Sequence, residues 1–289
     1  MFKPNLYDET SHHQAQNAIL PLWKVRGAST HRLAQSAARH FGVKCAHTGI
    51  LDPLAEGVVV LLLGQARFQR SFYTQQAKTY RAEVCVGLSS DSLDLLGLVD
   101  DDYQSYIGSK GSNGSIAQLQ RQLDDQKKMW TGEIQQTPPM ISSVKVQGKR
   151  SQYWYKKQQR ILDIPSRTVH VYQLKMISID LVSYQNIIQR ALQQIPLVQG
   201  VFRQQECIDR WQAHSYSTRG EQNQITSHQQ FMVLTFEATV GAGCYIRSLA
   251  KDWLLSCGMK QSLVIDLIRT HNAGFESHDC DQLIPLPSS

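Results

Sequence analysis

The sequence predicts a fold that mixes β-strands with α-helices, and three patterns predict it. Lys78–Leu88 and Phe231–Gly241 alternate at the period of two that a strand with a buried face requires. Ser29–Phe41 and the segment after Tyr245 repeat apolar residues at i, i+3, i+4 and i+7, the spacing of an amphipathic helix. Val58–Leu63 is unbroken apolar with a β-branched start, the length of a buried strand or a short core helix.

Composition narrows the function classes. A chain of 289 residues has room for one large domain or two ordinary ones, and 42% hydrophobic content is that of a globular protein. No apolar run is long enough to span a bilayer and the N-terminus lacks the apolar core of a signal peptide, so a cytoplasmic protein without membrane contact is expected. The six cysteines are scattered, with no C-x-x-C pair and no zinc spacing, and read as reduced thiols without a metal. A net charge of +6 and a pI near 9.0 fit a polyanionic partner. A nucleotide-dependent enzyme is disfavoured, because there is neither a P-loop nor a G-x-G-x-x-G after a strand.

In chain order, residues 1–18 read as a polar arm and Ile19–Trp23 as a short strand running into Lys24-Val25-Arg26-Gly27. Ser29 is an N-cap for a helix to Phe41, with Gly42 as its stop and Leu33, Ala34, Ala37, Ala38 and Phe41 as its buried stripe. Asp52-Pro53 then opens a turn, where proline fixes φ and pushes Asp52 towards an extended backbone while Gly49 and Gly57 tolerate positive φ. An acid on a stiff turn next to a segment that must be buried is held in one geometry, although Asp-Pro is also a common turn initiator. Gln65–Phe68 and a helix-like link lead to the Lys78 strand, in which Tyr80, taken alone, is a core or edge aromatic. Residues 100–114 form a surface loop, and Ser115 starts a helix to about Trp130. From Lys145 through Lys149 and Arg150 to Lys157, cations interleave with aromatics, a pattern that suits an RNA strand or a solvated basic face. A strand follows to about Val182. Residues 184–230, glutamine-rich and polar, read as an insertion, partly helical around Ile187–Leu192. The final helix buries Ile246, Leu249, Ala250, Trp253 and Leu254 and stops at Gly258, and Leu263–Arg269 is the closing strand.

Several of these stretches resemble the TruB family of tRNA pseudouridine synthases. His47–Gly57, reading H-T-G-I-L-D-P-L-A-E-G, matches that family's signature, with Ala46 where glycine is usual. Lys24 and Gly27 match a lysine-proline-glycine turn with Val25 in place of proline, and Tyr80 falls on a K-x-Y tyrosine. Gly87–Asp94 matches G-x-x-[ST]-D-[ST]-x-D, and Pro138–Arg150 resembles P-P-x-Y-S-A-x-K-x-x-G-K-R, with Ile141 and Ser143 as departures. Gly243–Asp252 matches G-T-Y-I-R-[ST]-L-x-x-D apart from Cys244.

The resemblance implies an α/β (mixed α+β) pseudouridine synthase fold, a mixed and largely antiparallel sheet flanked by helices and loops. It implies one catalytic domain over 19–289, interrupted at about 184–230, in a short form without the C-terminal RNA-binding domain of many members. It implies isomerisation of the T-loop uridine at tRNA position 55, with Asp52, Tyr80 and Arg247 as catalytic residues. Arg247 beside Asp52 would favour the ionised acid. Tyr80 would stack on the uracil, while Tyr245 and Leu267, followed by Arg269, would shape the base pocket. His47 would support the everted nucleotide, and Lys24, Lys145, Lys149 and Arg150 would bind substrate. The turn Gly87–Asp94 would lie near the substrate groove, and the region around Lys145–Arg150 would be a mobile element closing on the T-arm. The reaction is redox-neutral and isomeric, so no cofactor is expected. The partner is the tRNA T-arm stem-loop, and the protein is a monomer with no obligatory protein partner. Whether Asp52 attacks C1′ or C6, or assists elimination at C2′, stays open. Two other readings stay open as well: a non-catalytic RNA-binding protein, and a guide-RNA-dependent subunit that normally needs partner proteins.

Overall fold

The computed structural model describes residues 15–100, 103, 116–146, 148–150, 164–216 and 229–286. The polar arm up to residue 14, most of the loop at 100–114, the aromatic-basic run 153–157 and residues 217–228 of the polar segment lie outside the described residues. The chain forms two compact units. One holds the residues up to Tyr80, Leu197–Gly200 and those from Ile268 onwards, and the other holds Arg81–Pro196 and Val201–Leu267.

In the first unit the organising strand is β3 (Glu56–Gly64). It pairs antiparallel with β1 (Asn17–Lys24) from Asn17↔Gly64 to Lys24↔Gly57, and with the short β2 (Cys45–His47). Val58, Val60 and Leu62 pack with Ile19, Ala66 and Phe275, while Val59, Leu61 and Leu63 are equally buried on the opposite face. Burial on both faces explains the unbroken apolar run and resolves the strand-or-helix ambiguity in favour of strand. Helix α1 (Thr30–Phe41) starts at Ser29, whose hydroxyl accepts the Arg32 N–H, and ends at Gly42 in the left-handed conformation. Thr30, Ala34, Ala37 and Phe41 are its buried residues, Leu33 and Ala38 of the expected stripe are only half-buried, and Arg32 and Arg39 are exposed. After a 3-10 turn at Gln65–Gln69, α2 (Arg70–Gln75) leads to β4 (Lys78–Val86). At the C-terminal side, β10 (Ser262–Asn272) runs parallel to β3, and β11 (Ile284–Pro285) edges β1. The strands β4 and β10 are divided between the two units.

The second unit carries the strand order β10-β4-β9-β8-β5. Helix α3 (Ile116–Gln126) and a 3-10 turn at Lys127–Trp130 precede β5 (Gly132–Gln136), and β6 (Lys145–Val146) and β7 (Lys149–Arg150) form a separate hairpin. The long strand β8 (Arg167–Ser183) pairs antiparallel with both β5 and β9 (Gln230–Val240). Between β8 and β9 lie two helices, α4 (Tyr184–Gln194) and α5 (Gln204–Tyr216). The polar segment is therefore more structured than its composition predicts. Tyr184, Ile187, Ile188 and Ala191 of α4, and Cys207, Trp211 and His214 of α5, are buried. Helix α6 (Ile246–Ser256) packs on β9, with Trp253 edge-on to Phe236 at 5.7 Å. The sheet is mixed and mostly antiparallel, as expected. No helix among the described residues is long and apolar enough to cross a membrane.

Gly57 joins β3 to β10. Its φ is +123°, and a Cβ there would sit 2.2 Å from the Arg269 carbonyl oxygen. Gly57→Ala should therefore destabilise the protein by more than about 1 kcal/mol, a loss that urea unfolding followed by circular dichroism would measure.

Candidate active site

Asp52 heads a four-residue turn closed by its own carbonyl, which accepts the Ala55 N–H at 3.1 Å. Asp52 is half-buried, and Pro53 takes the second turn position, where its fixed φ belongs. Contacts from three outside residues pin the turn. The Leu51 N–H donates to the Thr30 hydroxyl at 3.2 Å, and the Gly27 N–H donates to the Pro53 carbonyl at 2.9 Å. The Lys24 ammonium donates to the Pro53 and Ala55 carbonyls at 3.2 and 2.6 Å. Gly27 is required for this approach: its φ is +81°, and a Cβ would lie 2.0 Å from the Leu197 carbonyl oxygen.

Lys24 is wholly buried, so its side chain braces the turn from inside. Burial lowers its pKa to about 8; the charge of Asp52 opposes this, and those of Arg269 and Arg26 add to it. Arg269 is also wholly buried. Its Nε donates to the Val58 carbonyl at 2.7 Å and its Nη1 to the Tyr80 hydroxyl at 3.4 Å, with the guanidinium carbon 5.9 Å from the Tyr80 ring centre. Lys78 donates to the Thr74 and Gln76 carbonyls at 3.0 and 2.7 Å, and burial, helped by Arg269, lowers its pKa to about 8. A Cβ on Gly49 would meet Lys78 Cε at 3.6 Å and Arg269 Nη1 at 3.9 Å, so the H-T-G segment lies against these cations. His47 ends β2, half-buried, and its carbonyl accepts from Arg70 Nε at 3.1 Å. Burial, then the charges of Arg70, His31 and Arg269, lower its pKa. The structure thus brings Lys24, Tyr80 and Arg269 together around the core that carries the Asp52 turn.

In the second unit, Arg247 lies in the first turn of α6 and is buried. Its Nη1 donates to the Ser92 carbonyl and, at 3.2 Å, to that of Ile141, and lies 3.7 Å from the Asp94 carboxylate. Asp94 accepts the Ser92 hydroxyl at 2.6 Å and the Leu96 N–H at 3.0 Å. The Gly87–Asp94 motif therefore folds inward here as a cradle for Arg247. Asp94 was missed as a partner of Arg247, although its place in the motif was the signal. Tyr245 caps α6, and its backbone is held by both ends of the Gln136 amide at 2.7 and 3.1 Å. The Arg167 guanidinium stands 5.0 Å over its ring. Neither Gln136 nor Arg167 carried a sequence signal. Leu267 is buried on β10. Lys145 is exposed in β6 and pairs through its backbone with Arg150, as Val146 does with Lys149; the side chains of Lys149 and Arg150 lie outside the described residues. Among the described residues, no three His, Cys, Asp or Glu side chains are grouped to hold a metal ion.

The lowered pKa of Lys24 yields a sign-definite expectation. Its folded value near 8 lies below the unfolded 10.5, so the charged form opposes folding below pH 8 and that opposition lifts as pH rises from 8 to 10.5. The stability of the wild type relative to Lys24→Met should rise across that window by up to about 1.4 kcal/mol per pH unit, read by urea unfolding of both proteins at pH 7.5 and 9.5.

Comparison with known proteins places this architecture. The family model described as TruB family pseudouridylate synthase (N terminal domain) matches residues 37–190, more than half of the chain. The chain is 32% identical over 165 residues to tRNA pseudouridine synthase B of Oceanobacillus iheyensis, covering 57% of this chain and 51% of that protein. It is 35% identical over 159 residues to tRNA pseudouridine synthase B of Listeria monocytogenes serovar 1/2a, covering 55% and 49%. The chain spans about half the length of the curated relatives it matches. Two solved structures share the fold at low identity. One is a chain of an H/ACA RNP bound to a substrate RNA containing 2′-deoxyuridine, with a TM-score of 0.51 at 17% identity, covering 96% of this chain and 53% of that one. The other is a chain of a Cbf5-Nop10-Gar1 complex, with a TM-score of 0.52 at 18% identity, covering 96% and 54%. Matched over most of its first two hundred residues and folded as a mixed, mostly antiparallel sheet, the chain belongs to the TruB family of pseudouridylate synthases.

Proposed function

We propose that the protein isomerises a uridine of RNA to pseudouridine, and that the uridine is that of the T-loop at tRNA position 55. The observation that carries this reading is the pinned turn, in which the backbone on either side of Asp52 is held by Lys24, Gly27 and Thr30 from the segment that joins β1 to α1. A single carboxylate that must act on a sugar or a base needs that kind of preorganisation.

In this reading the C1′–N1 bond breaks, the uracil turns, C1′ bonds to C5, the C5 hydrogen leaves as a proton and N1 gains one. Every other atom is retained and no electrons are exchanged, so no cofactor takes part. Asp52 acts on the ribose or the base, and Arg247 is the cation that orients it, roles that come from their motifs. Tyr80, its hydroxyl held by Arg269, stacks on the uracil, while Tyr245 and Leu267 shape the base pocket. His47, whose pKa burial lowers, supports the everted nucleotide. Lys24 and Arg269, both buried, act as positioning residues, and Lys145, Lys149 and Arg150 meet the phosphates of the T-arm. Extruding a base costs a few kcal/mol and least in a poorly stacked loop, which favours a hairpin loop as substrate. The protein works as a monomer in the cytoplasm, without a protein partner.

A T-arm hairpin tritiated at C5 of its uridines tests the reading. Wild type alone should release tritium, and Asp52→Asn should release it roughly 10³-fold more slowly or not at all while still binding the hairpin. Binding without release by the wild type would sink the proposal and favour a non-catalytic or guide-dependent RNA-binding protein.

A further inference from the structure

The two helices between β8 and β9 have no role in the reading above, yet α5 holds one particular segment. Three of its side chains, and Arg203 just before it, converge on the turn that follows β4. Arg203, just before the helix, pairs with Asp91 at 3.0 Å, and both are largely buried. The Cys207 thiol donates to the Leu96 carbonyl at 3.1 Å, Arg210 Nε to that of Val99 at 2.8 Å, and Trp211 Nε1 to that of Leu95 at 3.0 Å. This turn also presents Asp94 and the Ser92 carbonyl to Arg247.

The turn needs outside support. Leu93, between the two groups that face Arg247, has a φ of +61°, in the left-handed region that a branched side chain disfavours. A backbone in such a region persists only where its surroundings over-determine it. Inside the turn, Asp91 accepts the Leu98 N–H at 2.9 Å, and a Cβ on Gly97 would strike the Ser92 and Ser90 hydroxyls at 2.4 and 2.6 Å. The carbonyls of Leu95, Leu96 and Val99 point away from that interior to α5, which supplies a donor to each.

We propose that α5 is a brace for Arg247: Arg203, Cys207, Arg210 and Trp211 fix the Ser90–Val99 turn, and the turn fixes Asp94 and Ser92 against the guanidinium. Arg203 and Trp211 are positioning residues. The inference rests on the proposed role of Arg247 in the reaction for its effect on rate, but its structural half does not.

The experiment compares wild type, Arg203→Gln, Arg203→Lys and Trp211→Phe by three readouts: single-turnover tritium release at saturating enzyme, hairpin affinity, and solvent exchange of the Arg247 guanidinium Nε–H by NMR. Arg203→Gln should lower the single-turnover rate about tenfold, leave hairpin affinity within about twofold, and speed Arg247 exchange. Arg203→Lys, which keeps the charge, should regain most of both. Trp211→Phe removes only the bond to Leu95, so it carries the test if Arg203→Gln does not fold. Unchanged rate and exchange in folded variants would overturn the proposal, as would equal losses of rate and affinity, which mark general loosening. If the wild type releases no tritium, the proposed function fails, and the exchange comparison alone decides the brace.

Discussion

The ammonium of Lys24 is the interaction on which the first unit depends. Removing a charge from water costs several kcal/mol even after relaxation, and a lysine without a partner in the core would not be tolerated. Here it is offset by carbonyls of Pro53 and Ala55 and by the charge of Asp52. That arrangement links the fold and the acid: the lysine is stable inside only if the turn is formed, and the turn gains two of its contacts from the lysine. The fall of its pKa to about 8 measures how incomplete the compensation is. A hydrophobic residue of similar length would pack without that strain, but would take the ammonium from the Ala55 carbonyl, leave the Pro53 carbonyl with the Gly27 N–H alone, and set Asp52 on a looser loop.

The second unit solves the same problem for Arg247. A guanidinium in the first turn of a helix faces the positive end of the helix dipole, which disfavours it. The carbonyls of Ser92 and Ile141 and the Asp94 carboxylate supply the negative surroundings that the helix end does not. In both units a buried cation is positioned chiefly by main-chain oxygen, whose location is set by backbone geometry. Main-chain ligands cannot rotate away as side chains can, so the geometry of Asp52 in one unit and of Arg247 in the other is inherited from turns. Those turns depend on positions with special backbone demands: Gly27, where a Cβ would not fit, and Pro53 at one, and Leu93 with its positive φ and Gly97, where a Cβ would not fit, at the other.

The sequence showed elements well where one property sufficed. The Ser29 cap, the Gly42 stop and the strands β4 and β9 are local, and the structure has them where the pattern places them, although β9 is buried without a break from Phe231 to Phe236 rather than on alternate residues. The Asp52 turn was legible because proline fixes its own φ and glycine alone freely takes positive φ, whatever surrounds them. What failed to show was the inward direction of polar side chains. Lys24, Lys78, Arg269 and Gln136 are polar by composition, and only the tertiary arrangement of carbonyls makes their burial possible. Helix α5 was hidden for the same reason: its buried positions are Cys207, Trp211 and His214 among glutamines and charges, too sparse a stripe to stand out. Asp94 reads from its motif as a residue of the substrate groove, because spacing alone does not tell a carboxylate that meets substrate from one that holds an arginine.

This inward burial also changes what the net charge means. A charge of +6 suggested a polyanionic partner, on the assumption that the cations lie on the surface. Lys24, Lys78, Arg247 and Arg269 do not, since each is less than a tenth exposed. Burial lowers the pKa of the two lysines to about 8, so near that pH part of their charge is absent altogether. Surface potential is therefore weaker than the formal count implies, and the positive charge that the interior of the first unit keeps, on Lys24, Lys78 and Arg269, lies around the Asp52 turn and Tyr80. In a poorly hydrated site a fixed charge acts over a longer range than on a surface screened by salt. The case for an RNA substrate accordingly rests less on the overall charge of the protein than on where the fold has buried it.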